Sequence, residues 1–349
     1  MEYRRLGASG LSVSAICLGT LTFGDRTDEK TAGRIVGHAR DAGVNFIDTA
    51  DVYAQGRSER IVGKLIKRDR DDWVLATKAG LPFSGPPNRC GHSRKWIMQA
   101  IDESLARLGT DFVDLYYLHW HDPETPLEDT VGALADLVRA GKIRYWGFSN
   151  FRGWQVAEMV RLADRIGGPR PIAAQPNYNA INRQIEIEYL PACAHYDVGV
   201  VPYGPLARGV LSAKYQPGKP PPKDARGADK AFVLSFPGQV MAKTDLERRT
   251  LVRVQRIKAR AERRRMSASQ FAVAWVLNNA LVSSAIAGPR TFDQWTEYLK
   301  ALDRGFTAAD EAFIDRLVPP GQSSAQPFDD PRLPVAGRIP RTRPISDGT

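Results

Sequence analysis

The sequence predicts an α/β chain that closes into a (β/α)8 TIM barrel, entered through a β-hairpin and left through a Pro/Arg-rich tail. Eight short apolar runs recur along the chain, and amphipathic stretches of helical length separate them. With 349 residues, 43% of them hydrophobic, the chain can also bury so large a core.

Residues 3–6 and 11–13 flank Gly7-Ala8-Ser9-Gly10, whose glycines suit a tight turn, so a hairpin is expected first. Strands are then expected near 15–19, 44–48, 73–77, 112–118, 144–148, 172–175, 199–203 and 284–287. Helices are expected near 28–42, 58–67, 93–108, 127–140, 154–166, 186–196, 246–264, 268–279 and 292–303. Asp28 and Ser58 read as helix caps, and Pro126 suits a first helical turn. Trp96, Trp146 and Trp154 read as core.

Two segments break the alternation. Residues 216–230, rich in Pro and Gly, cannot form a regular element and read as the start of a mobile loop, 216–240, after the seventh barrel strand. Loops on that side of a barrel build its site, so this one is placed to cover a ligand. The barrel is expected to occupy residues 1–318. Residues 319–349 form a tail, a lid or a subunit contact.

The net charge of +10 suggests an anionic partner. Nine Arg and Lys residues between Arg248 and Arg265 crowd one expected helix, but no aromatic lies among them to stack on bases. A solvated helix is the preferred reading over nucleic-acid binding, and a phosphorylated small molecule also satisfies the charge. No run of about 18 apolar residues is present to span a membrane, and the first residues lack a signal peptide's apolar core, so the expected compartment is the cytoplasm. Cys17, Cys90 and Cys193 are odd in number and widely spaced, which points to free thiols used in packing.

Four ionisable residues, Asp48, Tyr53, Lys78 and His119, fall at or just past the ends of expected strands and together suit proton delivery. A tyrosine with its ordinary pKa of roughly 10 gives up its proton reluctantly. A lysine ammonium about 4 Å away, at an effective dielectric near 20, favours the tyrosinate by up to about 4 kcal/mol, or roughly three pKa units. Lys78 is therefore expected to make Tyr53 a usable acid, with Asp48 holding the ammonium charged. A neutral imidazole at His119 can hydrogen-bond a substrate oxygen. No nucleophile belongs to this group, so it suits protonating a carbonyl oxygen rather than hydrolysis, and something else must supply hydride.

Asn45-Phe46-Ile47-Asp48-Thr49-Ala50-Asp51-Val52-Tyr53, followed by Gly56 and Ser58-Glu59, resembles the first signature of the aldo-keto reductases. Ala76-Thr77-Lys78, Asp114-Leu115-Tyr116-Tyr117-Leu118-His119 and Gly147-Phe148-Ser149-Asn150-Phe151 match later signatures in the family's order, as do Gln175-Pro176-Asn177-Tyr178-Asn179 and the stretch from Tyr203 to Leu211. The resemblance reaches about residue 318 and is nearest to the branch holding bacterial stress-type reductases and potassium-channel β-subunits.

It implies a barrel that binds a nicotinamide cofactor, mostly NADPH, and reduces an aldehyde or ketone. Tyr53 would be the general acid, Lys78 its activator, Asp48 the charge partner and His119 the substrate-orienting group. Ser149, Asn150 and Gln175 match positions that hold the carboxamide, and Tyr203 matches the aromatic against which the ring stacks. Gly204-Pro205-Leu206 matches the segment beside the pyrophosphate, with Gly209 following. In Gly288-Pro289-Arg290, Arg290 falls where a cation meets the 2′-phosphate, and Gln294 where the family contacts the adenosine. Gly19, Thr20 and Asp48 complete the expected cofactor site, and Trp120 joins Tyr53 and His119 on the substrate side. Tyr298 stands where many relatives have Asn, and Gly204 where Ser is common.

A second reading keeps the cofactor but not the catalysis: an NADPH-binding redox sensor acting through a partner, with slow residual reductase activity. His119-Trp120-His121 also resembles the His-x-His pair of barrel metallohydrolases, but His38, His92 and His195 do not complete a metal site, so none is expected. The substrate is expected to meet Thr20-Leu21-Thr22-Phe23, residues 82–92, Trp120, His121 and the 216–240 loop. The sequence leaves the particular carbonyl compound and the oligomeric state open.

Overall fold

The computed structural model describes residues 1–82 and 88–325. A hairpin of β1 (Tyr3–Arg5) and β2 (Ser12–Ser14) precedes eight parallel strands: β3 (Ile16–Gly19), β4 (Phe46–Asp48), β5 (Val74–Ala79), β6 (Val113–Leu118), β7 (Ile143–Ser149), β8 (Ala173–Gln175), β9 (Gly199–Val200) and β10 (Ala285–Ala287). Neighbours in sequence are neighbours in the sheet, and β10 pairs with β3. Between β9 and β10, the Ser283 and Ile286 amides donate to the carbonyls of Val200 and Pro202 at 2.8 and 3.0 Å, closing the ring. All eight expected strands are present, as is the hairpin.

Side chains alternate across each strand, and this decides what faces the barrel axis. Cys17, Phe46, Val74, Ala76, Leu115, Tyr117, Ala173 and Ile286 pack into one interior cluster. Leu6 and Val13 from the hairpin join it, so the hairpin plugs the end of the barrel where the strands begin. Ile16, Leu18, Ile47, Leu75 and Tyr116 belong instead to the larger cluster that includes the surrounding helices. Asp48 stands two residues after inward Phe46, and Lys78 two after inward Ala76. The same alternation that builds the apolar core therefore turns both charges inward at the carboxyl ends of their strands.

All nine expected helices form, and Asp28 caps the first by accepting from the Thr31 amide at 2.7 Å. Ser58 does not cap its helix, Arg57–Ile66, which starts from left-handed Gly56. Its hydroxyl is buried and bonds Thr20 and Thr49, tying that helix to the strand ends. Pro126 sits at the N-cap of Leu127–Arg139, one residue before the first turn. At Gly63, a Cβ would lie 1.9 Å from the carbonyl oxygen of Leu108 in the next helix. Gly63→Ala must push these two backbones apart and is expected to cost about 1–3 kcal/mol, or more if the helices cannot yield, in a denaturant melt.

Several expectations need correction. Trp96 and Trp146 are core, but Trp154 is 59% exposed because its position near the start of Gly153–Arg165 turns it outward. Cys17 and Cys193 are buried free thiols, whereas Cys90 is exposed. The 216–240 segment is not irregular throughout: Lys230–Leu234 and Phe236–Lys243 are short helices, capped by Asp229 and Ser235. A helix at Ala308–Leu317, opened by a Thr307/Asp310 capping box, is one the sequence did not lead us to expect.

The basic helix, Arg248–Arg263, is not simply solvated. Leu251, Val254 and Ile257 are buried, Arg260 and nearby Arg264 pair with Asp310, and Arg253 donates to the Ser324 carbonyl at 2.6 Å. The expected tail begins pinned: Ser324 donates its amide to Ile181 and Gln322 accepts from Arg183, both at 2.8 Å. Residues 326–349, most of that tail, lie outside the described residues.

Candidate active site

A cavity of about 1170 Å³ opens at the carboxyl ends of the strands, where a barrel keeps its chemistry. Asp48, Tyr53, His119, Trp120 and every expected cofactor residue line it. Lys78 stands behind the lining, with a fully buried side chain. Its Nζ donates to Asp48 Oδ1 at 2.5 Å, to the Thr49 carbonyl at 2.8 Å and to the Tyr53 hydroxyl at 3.3 Å. Three acceptors satisfy the three donors of an ammonium. Because Tyr53 Oη accepts from Lys78, its own proton is available to the cavity.

Tyr53 comes from a short 3-10 turn after β4, in which Ala54 and Gln55 adopt left-handed backbone with φ of 49° and 58°. The Asp51 amide pins the start of that turn to the Lys78 carbonyl at 3.1 Å. The His119 ring meets Tyr53 edge-on, with centroids 5.7 Å apart. The strand ends thus bring the four ionisable residues into one group.

Burial works against the Lys78 ammonium, but Asp48 and Tyr53 outweigh it and hold the amine above its usual range. Burial pushes the Asp48 carboxyl up, while Lys78 and the Gln175 amide, donating to Oδ2 at 3.0 Å, pull it back. Tyr53 is not lowered, contrary to the expectation from its sequence neighbours. Burial raises the phenol, Lys78 lowers it, and Asp48 raises it again, so it faces a compensated ion pair rather than a lone cation. Burial, then the Lys78 charge, keeps His119 well below its usual range and therefore neutral.

A second network crosses the strand ends. Ser149 Oγ donates to the Gln175 carbonyl at 2.8 Å, and Asn150 Nδ2 donates to Ser149 Oγ at 2.9 Å and the His119 carbonyl at 3.1 Å. Tyr203 Oη donates to Asn150 Oδ1 at 2.8 Å. These bonds hold Asn150 in left-handed backbone, φ 62°, a conformation that costs a non-glycine residue free energy unless its surroundings impose it. Gln175 joins this network to the ion pair by accepting on its carbonyl and donating from its amide.

The aldo/keto reductase family matches residues 15–319. This chain belongs to the aldo/keto reductase family. It is 40% identical over 309 residues to a probable voltage-gated potassium channel subunit beta of Oryza sativa, covering 87% of this chain and 92% of that protein. A probable voltage-gated potassium channel subunit beta of Arabidopsis thaliana is 39% identical over the same shares of each chain. The uncharacterized oxidoreductase YrpG of Bacillus subtilis is 35% identical over 314 residues, 87% of this chain and 91% of YrpG.

As an aldo/keto reductase, the chain is an oxidoreductase of a family that generally uses a nicotinamide cofactor, and its cavity has a further feature fitting such a group. Arg26, Arg208, Lys214, Arg226 and Arg290 line it close enough to act on one another electrostatically. Arg208 pairs with Asp245 at 2.7 Å, Arg26 with Asp229 at 2.8 Å and Arg290 with Asp224 at 3.2 Å. Lys214 and Arg226 are the less compensated pair. Burial holds Lys214 below its usual range, with the Asp224 carboxylate opposing and the nearby arginines adding to it, and burial and the nearby arginines do the same to Arg226. Five cations so close together carry more positive charge than the three paired aspartates offset, and an anionic ligand supplies the rest. The run Ala207, Arg208 and Gly209, all at positive φ, lines the same cavity.

The sequence singles out only Arg290 among these cations. The others are scattered between residues 26 and 226, and only the fold collects them. Some expected substrate contacts are absent from the cavity wall. Thr20, Leu21 and Thr22 line it, but Phe23 is fully buried in the core, because the chain turns inward where Phe23 donates its amide to Thr20. His121 packs edge-on against Phe151, with centroids 5.5 Å apart. Residues 83–87, from the expected 82–92 wall, lie outside the described residues. No group of three or more His, Cys, Asp or Glu fit to hold a metal exists among the described residues. No described helix is long and apolar enough to cross a membrane.

Proposed function

We propose that this chain is an NADPH-dependent reductase of aldehydes or ketones, with Tyr53 as the general acid. The observation that carries the reading is Lys78 Nζ between Asp48 Oδ1 and the Tyr53 hydroxyl, at 2.5 and 3.3 Å, behind a cavity that Tyr53 faces. A bound nicotinamide supplies the hydride that turns a carbonyl carbon into an alcohol carbon. This chain supplies the proton and the alignment. As the carbonyl π pair becomes an alkoxide lone pair, the Tyr53 proton passes to that oxygen. The raised phenol suits such a transfer, because it keeps its proton near neutrality and yields it once the far more basic alkoxide develops. The ammonium then stabilises the tyrosinate, and neutral His119 donates a hydrogen bond to the same oxygen.

In this reading Ser149, Asn150 and Gln175 hold the carboxamide and Tyr203 backs the ring. Gly19, Thr20, Gly204, Pro205, Leu206, Gly209 and Gly288 line the cofactor's path, with Gln294 toward the adenosine. Trp120 walls the substrate side. Three unpaired cysteines accord with a reducing cytoplasm. Steady-state oxidation of NADPH across a panel of carbonyl compounds tests the whole; no turnover with any of them defeats it.

Arg290 carries the proposed preference for NADPH. It donates to the Asp224 carbonyl at 2.7 Å, which keeps its guanidinium at the cavity rim. A charged hydrogen bond to a 2′-phosphate is worth about 1.5–3 kcal/mol, so Arg290→Ala is expected to weaken NADPH roughly 10–100-fold. NADH affinity, by fluorescence titration, should move little. Equal loss for both would rule out the 2′-phosphate contact.

A second reading is favoured by the potassium-channel β-subunit names of the Oryza and Arabidopsis relatives. Here the protein binds NADPH and acts through a partner, with slow residual chemistry. Oxidation of one bound cofactor per chain without recycling would support it over the reductase.

A further inference from the structure

The Tyr53 turn contains a buried carboxyl that the proposed mechanism does not use. Asp51 is 1% exposed. Its Oδ1 accepts from the Val52 amide at 2.6 Å, and its own amide holds the turn to the Lys78 carbonyl. Its Oδ2 is buried and has no hydrogen-bond partner among the described residues. The cations nearby are already committed. Lys78 bonds Asp48, and Arg107, from helix Arg94–Leu108, donates to Glu59 at 2.6 Å while also lying 3.7 Å from Glu103. Glu59, on helix Arg57–Ile66, also accepts from Thr77 on β5 at 2.6 Å and is fully buried. From β6, Tyr116 faces the same region, and its buried Oη also has no partner among the described residues. An ionised Asp51 would therefore stand beside the Glu59 carboxylate with one oxygen bare, a costly arrangement that a proton relieves.

We propose that Asp51 is a positioning residue that works as a neutral acid: protonated, it lets the Tyr53 turn stand without a buried charge, and ionised, it sets an uncompensated negative charge near Tyr53 and Lys78. Burial and then Glu59 push its carboxyl up to about 8, against the Val52 amide, Arg107 and Lys78. A negative charge at Asp51 raises the Tyr53 phenol further and makes it a poorer proton donor. The proposal rests on the reductase reading for its kinetic consequence, and on the buried carboxyl alone for its charge state.

The test is a kcat profile for carbonyl reduction from about pH 6 to about pH 10. Wild type should fall as pH rises through about 8. Asp51→Asn should lose that fall, and Glu59→Gln should move it to lower pH by removing the neighbouring negative charge. A fall that persists in Asp51→Asn, or an Asp51→Asn enzyme inactive at every pH while folded, overturns the proposal. Carboxyl NMR of protein labelled with carbon-13 aspartate gives a readout independent of turnover. A resonance missing in Asp51→Asn should titrate near 8; titration in the ordinary carboxylate range overturns the proposal even if no carbonyl is reduced. Stability supplies the sign. A carboxyl raised in the fold favours folding below its unfolded pKa of about 3.9 and loses that support as pH rises through its folded value. Asp51→Asn should therefore melt above wild type on the alkaline side, and a lower melting temperature there counts against a neutral Asp51.

Discussion

Tyr53→Phe is expected to abolish steady-state turnover, by about 100-fold to 10,000-fold or more, while NADPH binds nearly as in the parent. The substitution removes one oxygen. The ring keeps its edge contact with His119 and its place beneath Lys78, whose Nζ lies 5.0 Å from the ring centroid. Lys78 loses its longest bond, at 3.3 Å, and retains Asp48 and the Thr49 carbonyl, so no buried ammonium is left unpaired. The bonds that link Ser149, Asn150, Gln175 and Tyr203 to one another do not run through the Tyr53 hydroxyl, and none of the five cavity cations bonds it. Stopped-flow reduction and a fluorescence titration of NADPH separate the effects. Normal turnover would remove Tyr53 as the acid; equal loss of cofactor affinity would mean that the phenol had been holding the site together.

Much of the site is legible in the chain because strands impose a period of two. Once Phe46 and Ala76 are taken as inward, Asp48 and Lys78 follow without further information. Tyr53 and His119 stand out as ionisable groups just past strand ends, and the family signatures then supply Asn150 and Gln175, whose neighbourhood no local pattern states. What cannot be read there depends on the sum of several environments. The expected lowering of Tyr53 treats Lys78 as a lone cation, but burial and the Asp48 carboxylate act on the same phenol and reverse the net direction. Arg26, Arg208, Lys214 and Arg226 carry no spacing that marks them as one cluster. Ser58 has the residue type of a cap, yet its buried hydroxyl is claimed by Thr20 and Thr49. Asp51 lies inside the first family signature, and only its lack of a cation partner in three dimensions sets it apart. Composition hides the helix at Ala308–Leu317, since it borders a Pro/Arg-rich run.

Lys78→Met should remove turnover and also unfold more readily, by about 3–5 kcal/mol, because it leaves Asp48 buried without its cation. The direction with pH identifies the cause. In the parent, the Lys78 amine is raised above its unfolded value of about 10.4, so its contribution is complete below that pH and disappears only as pH rises through the folded value. In the variant, Asp48 keeps the Gln175 amide alone, and its carboxyl climbs further above the unfolded value of about 3.9. A group raised in this way favours the fold in acid and costs stability as pH increases, so the deficit relative to the parent should be smallest near pH 4 and grow toward neutrality. Adding Asp48→Asn to Lys78→Met removes the orphaned carboxylate and should recover part of the loss, whereas two independent contributions would add. Melts of the parent, both single variants and the double at acid and neutral pH decide the matter. A deficit equal at both pH values, with additive losses, would mean that lysine packing rather than charge pairing holds Asp48 and Tyr53 in register, and the activation of Tyr53 would then need another source.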